Sequence, residues 1–538
     1  MALARQAISR EPEPSRPIAR PAAIRRAWGL TLLLAVTMAP VGIALARTPA
    51  GHVFTGYVVI ARDAFVYQAL WRAGWHGAWL FHPLYSGEPE PGILIYAWYL
   101  WSGHGLGWLP GPLLYHGARM GAIIVAIAGI WKLTGVLYHP VLLRRWAFVL
   151  AVFGGGIGLL LGHAAHLGPI ALRPTEVLVS GTSVADAIAM APHVPLAAAL
   201  LCGVFVACLR FARDGVRRRL VLGAVMALGL ELIYPQLYAL AVATILGWAV
   251  VRRPRHAATF LAVIIAAGAP YLAYLGLAQH ADPSAFIGVG ATAQVPFHFD
   301  VGDPIGFLLL SHLVASGLIG VALYTRRIRG DLALPAAWIV VMTGFMFLPG
   351  FRTVVGRSYL VSSIPFGLLA AAGLLSLARR LRPGAGRRRT VMLALAFSSL
   401  FGVFSLIQPY AIALFRLDPN AEYERRGEAA LLDWLQPRSN PADLVLTTYL
   451  DGIFVPAQSN ARVYAGHPDQ TVDVGAKAGL AQAFFQQWDM QQRDAFVVNN
   501  GIDYVLAGDA RASARLGQDA RLQVVAASGG ETLYRVKP

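Results

Sequence analysis

The sequence predicts a mainly α, polytopic membrane protein carrying a small external α/β domain, and three observations predict it. Of the 538 residues, 57% are hydrophobic and 14% charged, where a soluble globular domain has about 45–50% and about 25%. Apolar runs of roughly 17–22 residues recur along the chain, each long enough to cross a bilayer. From about residue 415 that pattern yields to short apolar strands alternating with amphipathic helices.

The net charge of +17 invites a nucleic-acid partner, but the placement of the arginines argues against one. They gather between Arg5 and Arg26, at Arg144–Arg145, and in Arg210–Arg219, Arg252–Arg255, Arg326–Arg329 and Arg379–Arg389. These are short loops between apolar runs, the positive-inside pattern that keeps basic loops in the cytoplasm. The polar, Pro- and Arg-rich arm of residues 1–27 then reads as a disordered cytoplasmic segment. Cys202 and Cys208 are the only cysteines and lie six apart in one apolar run. Six residues turn a helix by about 600°, so the thiols project from different faces and imply neither disulfide nor metal framework.

Residues 28–414 form the expected membrane domain. A first span at about Trp28–Ala46 leaves the cytoplasm, and residues 47–112 make a long external loop. Within it Ile93–Trp108 is apolar enough to resemble a span, but counting it would place Arg210–Arg219 outside. An amphipathic helix on the outer surface, anchored by Trp98, Tyr99, Trp101 and Trp108, restores every basic loop to the inside. Leu220–Val251 is too long for one helix and has Pro235 near its centre, so it reads as a hairpin with its tip outside. The parity gives about eleven spans and places residues 415–538 outside as an α/β domain. Within that domain the polar stretch Gly466–Asp473 reads as a solvated loop, with contact to substrate from above as the alternative.

The external side collects the candidate functional residues. Asp63 and Tyr67, at i and i+4, share a helix face just outside the first span. A partly dehydrated carboxylate there suits a general base or a cation ligand, while an interfacial aspartate paired with Arg62 or Arg72 is the competing reading. Glu88 and Glu90 stand at the mouth of the surface helix, and Glu176, His193 and Glu231 face the same side. Arg119 lies inside a span, where an ionisable residue is expensive and therefore a functional candidate. Arg352 and Arg357 break the positive-inside bias, and arginine suits phosphate through bidentate hydrogen bonds; pairing with Glu176 or lipid headgroups is the alternative. No HExxH, DxD, GxSxG, P-loop or CxxC pattern occurs, which disfavours soluble-type zinc, nucleotide or serine chemistry.

The order of these features resembles the GT-C superfamily of membrane glycosyltransferases, near the protein mannosyltransferase and aminoarabinose-transferase branch (glycosyltransferase family 39). The resemblance rests on Asp63 after the first span, the EPEPGILIY turn at Glu88–Tyr96, and YLWSGHG at Tyr99–Gly105. Arg119 and the stretch Gly356–Leu374 complete it. It implies transfer of a sugar from a polyprenyl-phosphate donor to an envelope glycan, lipid or protein acceptor at the outer face of the cytoplasmic membrane. Asp63 would be the base, inversion at the anomeric carbon would follow, and Arg119, Arg352 and Arg357 would meet phosphate. The resemblance fixes no cofactor; a divalent cation is compatible with the family's first-loop aspartate, although Asp63 has no second carboxylate beside it. A transporter or flippase of a lipid-linked substrate, or a non-catalytic envelope scaffold, are the competing classes.

Overall fold

The computed structural model describes residues 20–88, 92–155, 182–281, 312–345, 359–415 and 421–537. The membrane domain begins with α1 (Arg20–Ala46), followed by β1 (His52–Phe54), α2 (Ala61–Trp75) and α3 (Ala97–Leu106). Then come α4 (Gly111–Leu137), α5 (Val141–Phe153), α6 (Val184–Ala189), α7 (His193–Asp214), α8 (Arg217–Ile233) and α9 (Pro235–Arg252). It closes with α10 (Ala257–Ala281), α11 (Leu313–Tyr324), α12 (Ala333–Phe345), α13 (Ser363–Arg380) and α14 (Ala385–Phe415). Among the described residues six helices are long and apolar enough to cross a membrane, with shorter apolar helices beside them. This is a multi-pass membrane protein.

Local chemistry sets several of these boundaries. Pro112 lies in the first turn of α4 and Pro235 opens α9; a missing N–H costs nothing there and the fixed φ suits a helix start. Pro235 therefore splits the run between Arg217 and Arg252 into the expected helix pair. Gly215 ends α7 at φ 66°, a left-handed cap that glycine adopts without steric cost.

Helix α3 is shorter and less amphipathic than expected. At ten residues it spans about 15 Å, half the hydrocarbon thickness of about 30 Å, so it cannot cross. Its inner face packs on α2 through reciprocal glycines: a Cβ on Gly74 would lie 2.0 Å from the Leu100 carbonyl oxygen, and one on Gly103 2.4 Å from that of Trp71. Its outer side carries Trp101 rather than charge, and Trp75, Trp79 and Trp108 are exposed nearby. Tryptophan is enriched at membrane–water interfaces, and this exposed aromatic group is the composition of such an interface.

One end of the helix bundle collects the first loop. Leu94 donates its N–H to Tyr274 and accepts from Tyr271 at the far end of α10. Tyr99 reaches His193 at the start of α7, and His193 reaches Tyr234 at the α8–α9 break. The opposite end holds the Arg213–Asp331 ion pair, where the basic loops lie.

The C-terminal region contains β2 (Tyr423–Arg425), α15 (Arg426–Leu435), β3 (Leu444–Leu446), α16 (Val455–Gln458) and β4 (Arg462–Val463). It continues with α17 (Val474–Gln486), α18 (Met490–Asn499), β5 (Tyr504–Ala507), α19 (Ala510–Leu516), β6 (Leu522–Ser528) and β7 (Glu531–Val536). Its sheet runs β4-β3-β5-β7-β6, with β3 parallel to β4 and β5, and β7 antiparallel to β5 and β6. The expected terminal hairpin and partly parallel sheet are both present. Asp489 and Gln492 form a capping box at the start of α18.

This region does not stand apart from the first loop. β1 pairs antiparallel with β2, and Val463 donates its N–H to the Leu84 carbonyl. Tyr57, Phe65, Phe81 and Tyr85 from the loop share one core with Leu432, Phe454, Val455 and Val463. Each such side chain contributes about 1.5–3 kcal/mol on burial, so loop and domain stabilise each other.

At that junction Arg425 pairs with Glu428, Asp451 and Glu531, and Glu424 accepts from Gln458. Burial pushes Glu424 up to about 8, with Asp433 and Glu531 adding to it. Burial likewise takes Glu531 up to about 7, despite Arg425 and with Asp451 and Asp509 adding, and it lifts Glu428 well above the carboxylate range. The folded state therefore binds these protons more tightly than the unfolded chain, whose glutamates titrate near ~4.3. Stability from the cluster is full below that value and declines as pH rises through 7–8. Thermal unfolding of the detergent-solubilised chain should show a lower Tm at pH 8.5 than at pH 5.5. Glu424→Gln should shrink that difference; a Tm that rises over this interval would contradict the assignment.

Candidate functional site

The site forms where the first turn of α2 meets the C-terminal domain. Asp63 sits in that first turn and Arg72 in the last, the arrangement that complements the helix dipole. Both α2 and α3 begin at non-glycine residues in the left-handed region, Ile60 at φ 48° and Tyr96 at φ 52°. Such a conformation costs of order 1–3 kcal/mol and persists only where the surroundings enforce it.

Asp63 does not pair with Arg72. Its carboxylate Oδ1 lies 3.2 Å from His467 Nε2, and Arg72 Nε donates instead to Asn460. His467 is 2% exposed, and its Nδ1 accepts the Asp469 backbone N–H. That acceptor role leaves the proton on Nε2, so His467 donates to Asp63. The Asp63 side chain remains 42% exposed.

The loop Gly466–Asp473 is thus a buried arm rather than a solvated one: His467, Gln470 and Thr471 are all buried. Thr471 Oγ1 donates to the Tyr85 carbonyl, and Gln470 reaches the Tyr96 hydroxyl at 3.4 Å. Its polarity, which suggested solvent, serves hydrogen bonds to the first loop.

Beside Asp63 lies a stacked aromatic floor. Tyr67 stacks on Tyr99 with centroids 4.5 Å apart and planes 6° from parallel. Burial, then the Asp63 charge, pushes the Tyr67 phenol well above its ordinary range, so it stays a neutral hydroxyl. Tyr99 meets His193 Nδ1 at 2.5 Å, and His193 Nε2 meets Tyr234 at 2.9 Å. A neutral imidazole donates at one nitrogen and accepts at the other, so His193 joins α3, α7 and the α8–α9 break.

Asp63, Tyr67 and His193 therefore converge, as their common side suggested. Glu88 is held elsewhere. Lys477 Nζ lies 2.5 Å from both its oxygens, and Ser86 Oγ donates to Oε2 at 2.5 Å. Burial alone would raise the Glu88 pKa, but the bonds from Lys477 and Ser86 win and hold it below its ordinary value. Arg119 is buried and donates to the Ala189 and Thr37 carbonyls at 3.3 and 3.1 Å. The adjoining cavity of about 10 Å³ has no room for a ligand beyond a single water. Glu231 is fully buried against α10, where a Cβ on Gly268 would stand 2.7 Å from its Oε2. Glu90, Glu176, Arg352 and Arg357 lie outside the described residues.

Among the described residues no three His, Cys, Asp or Glu side chains stand close enough to hold a metal ion. Asp63 has one imidazole beside it, so these residues do not form a cation-binding set. His467 lies in the polar stretch Gly466–Asp473, marked in the sequence but not by residue, and Lys477 was not identified because no spacing pattern marks it.

No family model matches the chain, and no curated protein matches it. Solved structures do. The chain aligns with the Archaeoglobus fulgidus oligosaccharyltransferase tethered with an acceptor peptide containing the NVT sequon. That alignment has TM-score 0.50 and 11% identity over 93% of this chain and 72% of that one. The archaeal oligosaccharyltransferase AglB from the same organism, in complex with an inhibitory peptide and a dolichol-phosphate, gives 0.49 and 11% over 91% and 70%. ArnT from Cupriavidus metallidurans bound to undecaprenyl phosphate gives 0.46 and 13% over 94% and 98%. The first alignment shows a GT-C-like fold; at such identity the likeness establishes the fold alone.

The His193 bridge has a measurable consequence. His193→Ala leaves the buried Tyr99 and Tyr234 hydroxyls without their partner, a cost of about 2–3 kcal/mol. Thermal unfolding in detergent should show a Tm several degrees lower for His193→Ala and nearly unchanged for Asp63→Asn, whose carboxylate is half exposed.

Proposed function

We propose that this protein is a membrane glycosyltransferase that moves a sugar from a polyprenyl-phosphate donor to an acceptor hydroxyl at the outer face of the cytoplasmic membrane. The observation that carries this reading is the state of Asp63. It is half exposed at the junction of the bundle and the C-terminal domain, and the buried His467 holds its Oδ1 at 3.2 Å. Glu88, the other described first-loop candidate carboxylate, is already neutralised by Lys477.

In this reading Asp63 accepts the proton of the acceptor hydroxyl as its oxygen attacks the anomeric carbon. The bond from that carbon to the phosphate oxygen breaks, and the electron pair leaves with the lipid phosphate. Attack opposite the leaving group inverts the anomeric configuration. His467 keeps the carboxylate aimed, and the floor of Tyr67 and Tyr99 excludes water from one side of the site. Arg352 and Arg357 are assigned to the phosphate on their external placement in the sequence and on the bidentate fit of guanidinium to phosphate. The GT-C-like fold supports the assignment of class, since the fold-related oligosaccharyltransferase is itself a glycosyl-transferring enzyme by name.

The test uses membranes containing the full chain and radiolabelled polyprenyl-phosphate sugars. Asp63→Asn should lower turnover by roughly 10²–10⁴, the range for losing a general base. The product anomer, read by NMR, should be opposite to the donor's. Unchanged turnover in Asp63→Asn sinks the base assignment, and donor-dependent flux without transfer would point to transport.

A further inference from the structure

A second crevice lies on the other side of α2. Asp63 and Arg72 are nine residues apart, which on a helix is about 13 Å of rise and about 900° of rotation. Arg72 therefore faces away from the Asp63 mouth. It borders a cavity of about 440 Å³ formed jointly by the end of α2, residues 78–84 and the C-terminal domain at residues 441–462. That volume falls in the range of small-molecule sites, about 300–1,000 Å³.

The walls are chiefly apolar, from Leu70, Leu84, Pro83 and Pro456, and two guanidiniums border them, Arg72 and Arg462. Among the described residues neither arginine has a carboxylate partner. Arg72 spends only Nε, on Asn460 Oδ1 at 3.0 Å, and Asn460 is itself oriented by the Gln436 carbonyl. Its two terminal nitrogens are left over. Arg462 Nη1 makes only long contacts, 3.5 and 3.4 Å, to the Gly87 and Glu88 carbonyls. Burial works against the Arg72 charge, with Asp433 near enough to offset part of that cost. Among the described residues the one carboxylate lining the crevice, Glu88, is balanced by Lys477. The surplus charge is positive. Guanidiniums held against apolar walls with unused N–H groups suit an anion that accepts in-plane hydrogen bonds.

We propose that this crevice is a binding site, separate from the Asp63 mouth, for the phosphate or carboxylate of a ring-sized organic anion. The anion has two possible sources. It is either a free small molecule or the end of a larger amphiphile, because His76 and Leu80 line the crevice beside the exposed Trp75 and Trp79. Those tryptophans place its mouth at the headgroup level.

The experiment measures binding to the full chain in nanodiscs of neutral lipid. The probes are glucose 1-phosphate, glucose, and dioleoylphosphatidic acid added to the disc. Glucose 1-phosphate or phosphatidic acid should bind and glucose should not; which of the two binds identifies the source. Arg72→Gln and Arg462→Gln should each weaken binding at least tenfold. Ala442→Trp, at an exposed residue lining the crevice, should block it while keeping both charges. Asp63→Asn should bind as the wild type does, which separates this site from the transfer reading. Equal binding of glucose and glucose 1-phosphate with no response to phosphatidic acid, or unchanged affinity in both arginine variants and in Ala442→Trp, overturns the proposal.

Discussion

The shared core between the first loop and the C-terminal domain is the constraint on which the rest depends. Residues 52–54 pair with 423–425, and the aromatic side chains of the loop fill the same interior as Phe454, Val455 and Val463. A loop of this length on a helix bundle would otherwise pay a large conformational entropy to hold one shape. Here the domain supplies the partner face. It also supplies His467, so a single packing event orders the loop and aims Asp63.

Charge is managed differently at three points along this junction. Around Arg425 four carboxylates crowd one guanidinium, and burial keeps part of the set protonated near neutrality. Glu88 is neutralised outright by Lys477. Asp63 is left half exposed beside the buried His467. Buried charge is expensive unless paired, so the carboxylate with the least cationic compensation is the one that stays at the exposed rim. Across α2, Arg72 and Arg462 show the opposite arrangement, cations without carboxylates. The helix thus separates a basic crevice from an acidic mouth.

The sequence and the structure agree where the physics is local. Pro235 divides the long apolar run because proline cannot continue a helix across it, and strand–helix alternation after residue 415 is visible in periodicity. Asp63 and Tyr67 share a face by helix geometry alone. Where they differ, the deciding contact is remote in sequence. The α3 segment was expected to be amphipathic; its outer face instead carries the exposed Trp101. The Gly466–Asp473 loop looked solvated because polarity does not say whether a polar group meets water or a buried partner.

By itself the sequence determined the membrane class, the clustering of basic residues at one end of the bundle, the helix break at Pro235 and the shared helix face of Asp63 and Tyr67. These follow from hydropathy, charge bias and backbone chemistry, which act over a few residues. Only the tertiary structure decided that His467 rather than Arg72 meets Asp63, that Lys477 takes Glu88, and that α2 backs onto a second, basic crevice. Those pairings join residues roughly 390 to 400 positions apart, and no local propensity encodes a partner at that distance. Packing of the shared core selects them, because it is the event that brings the two segments into contact.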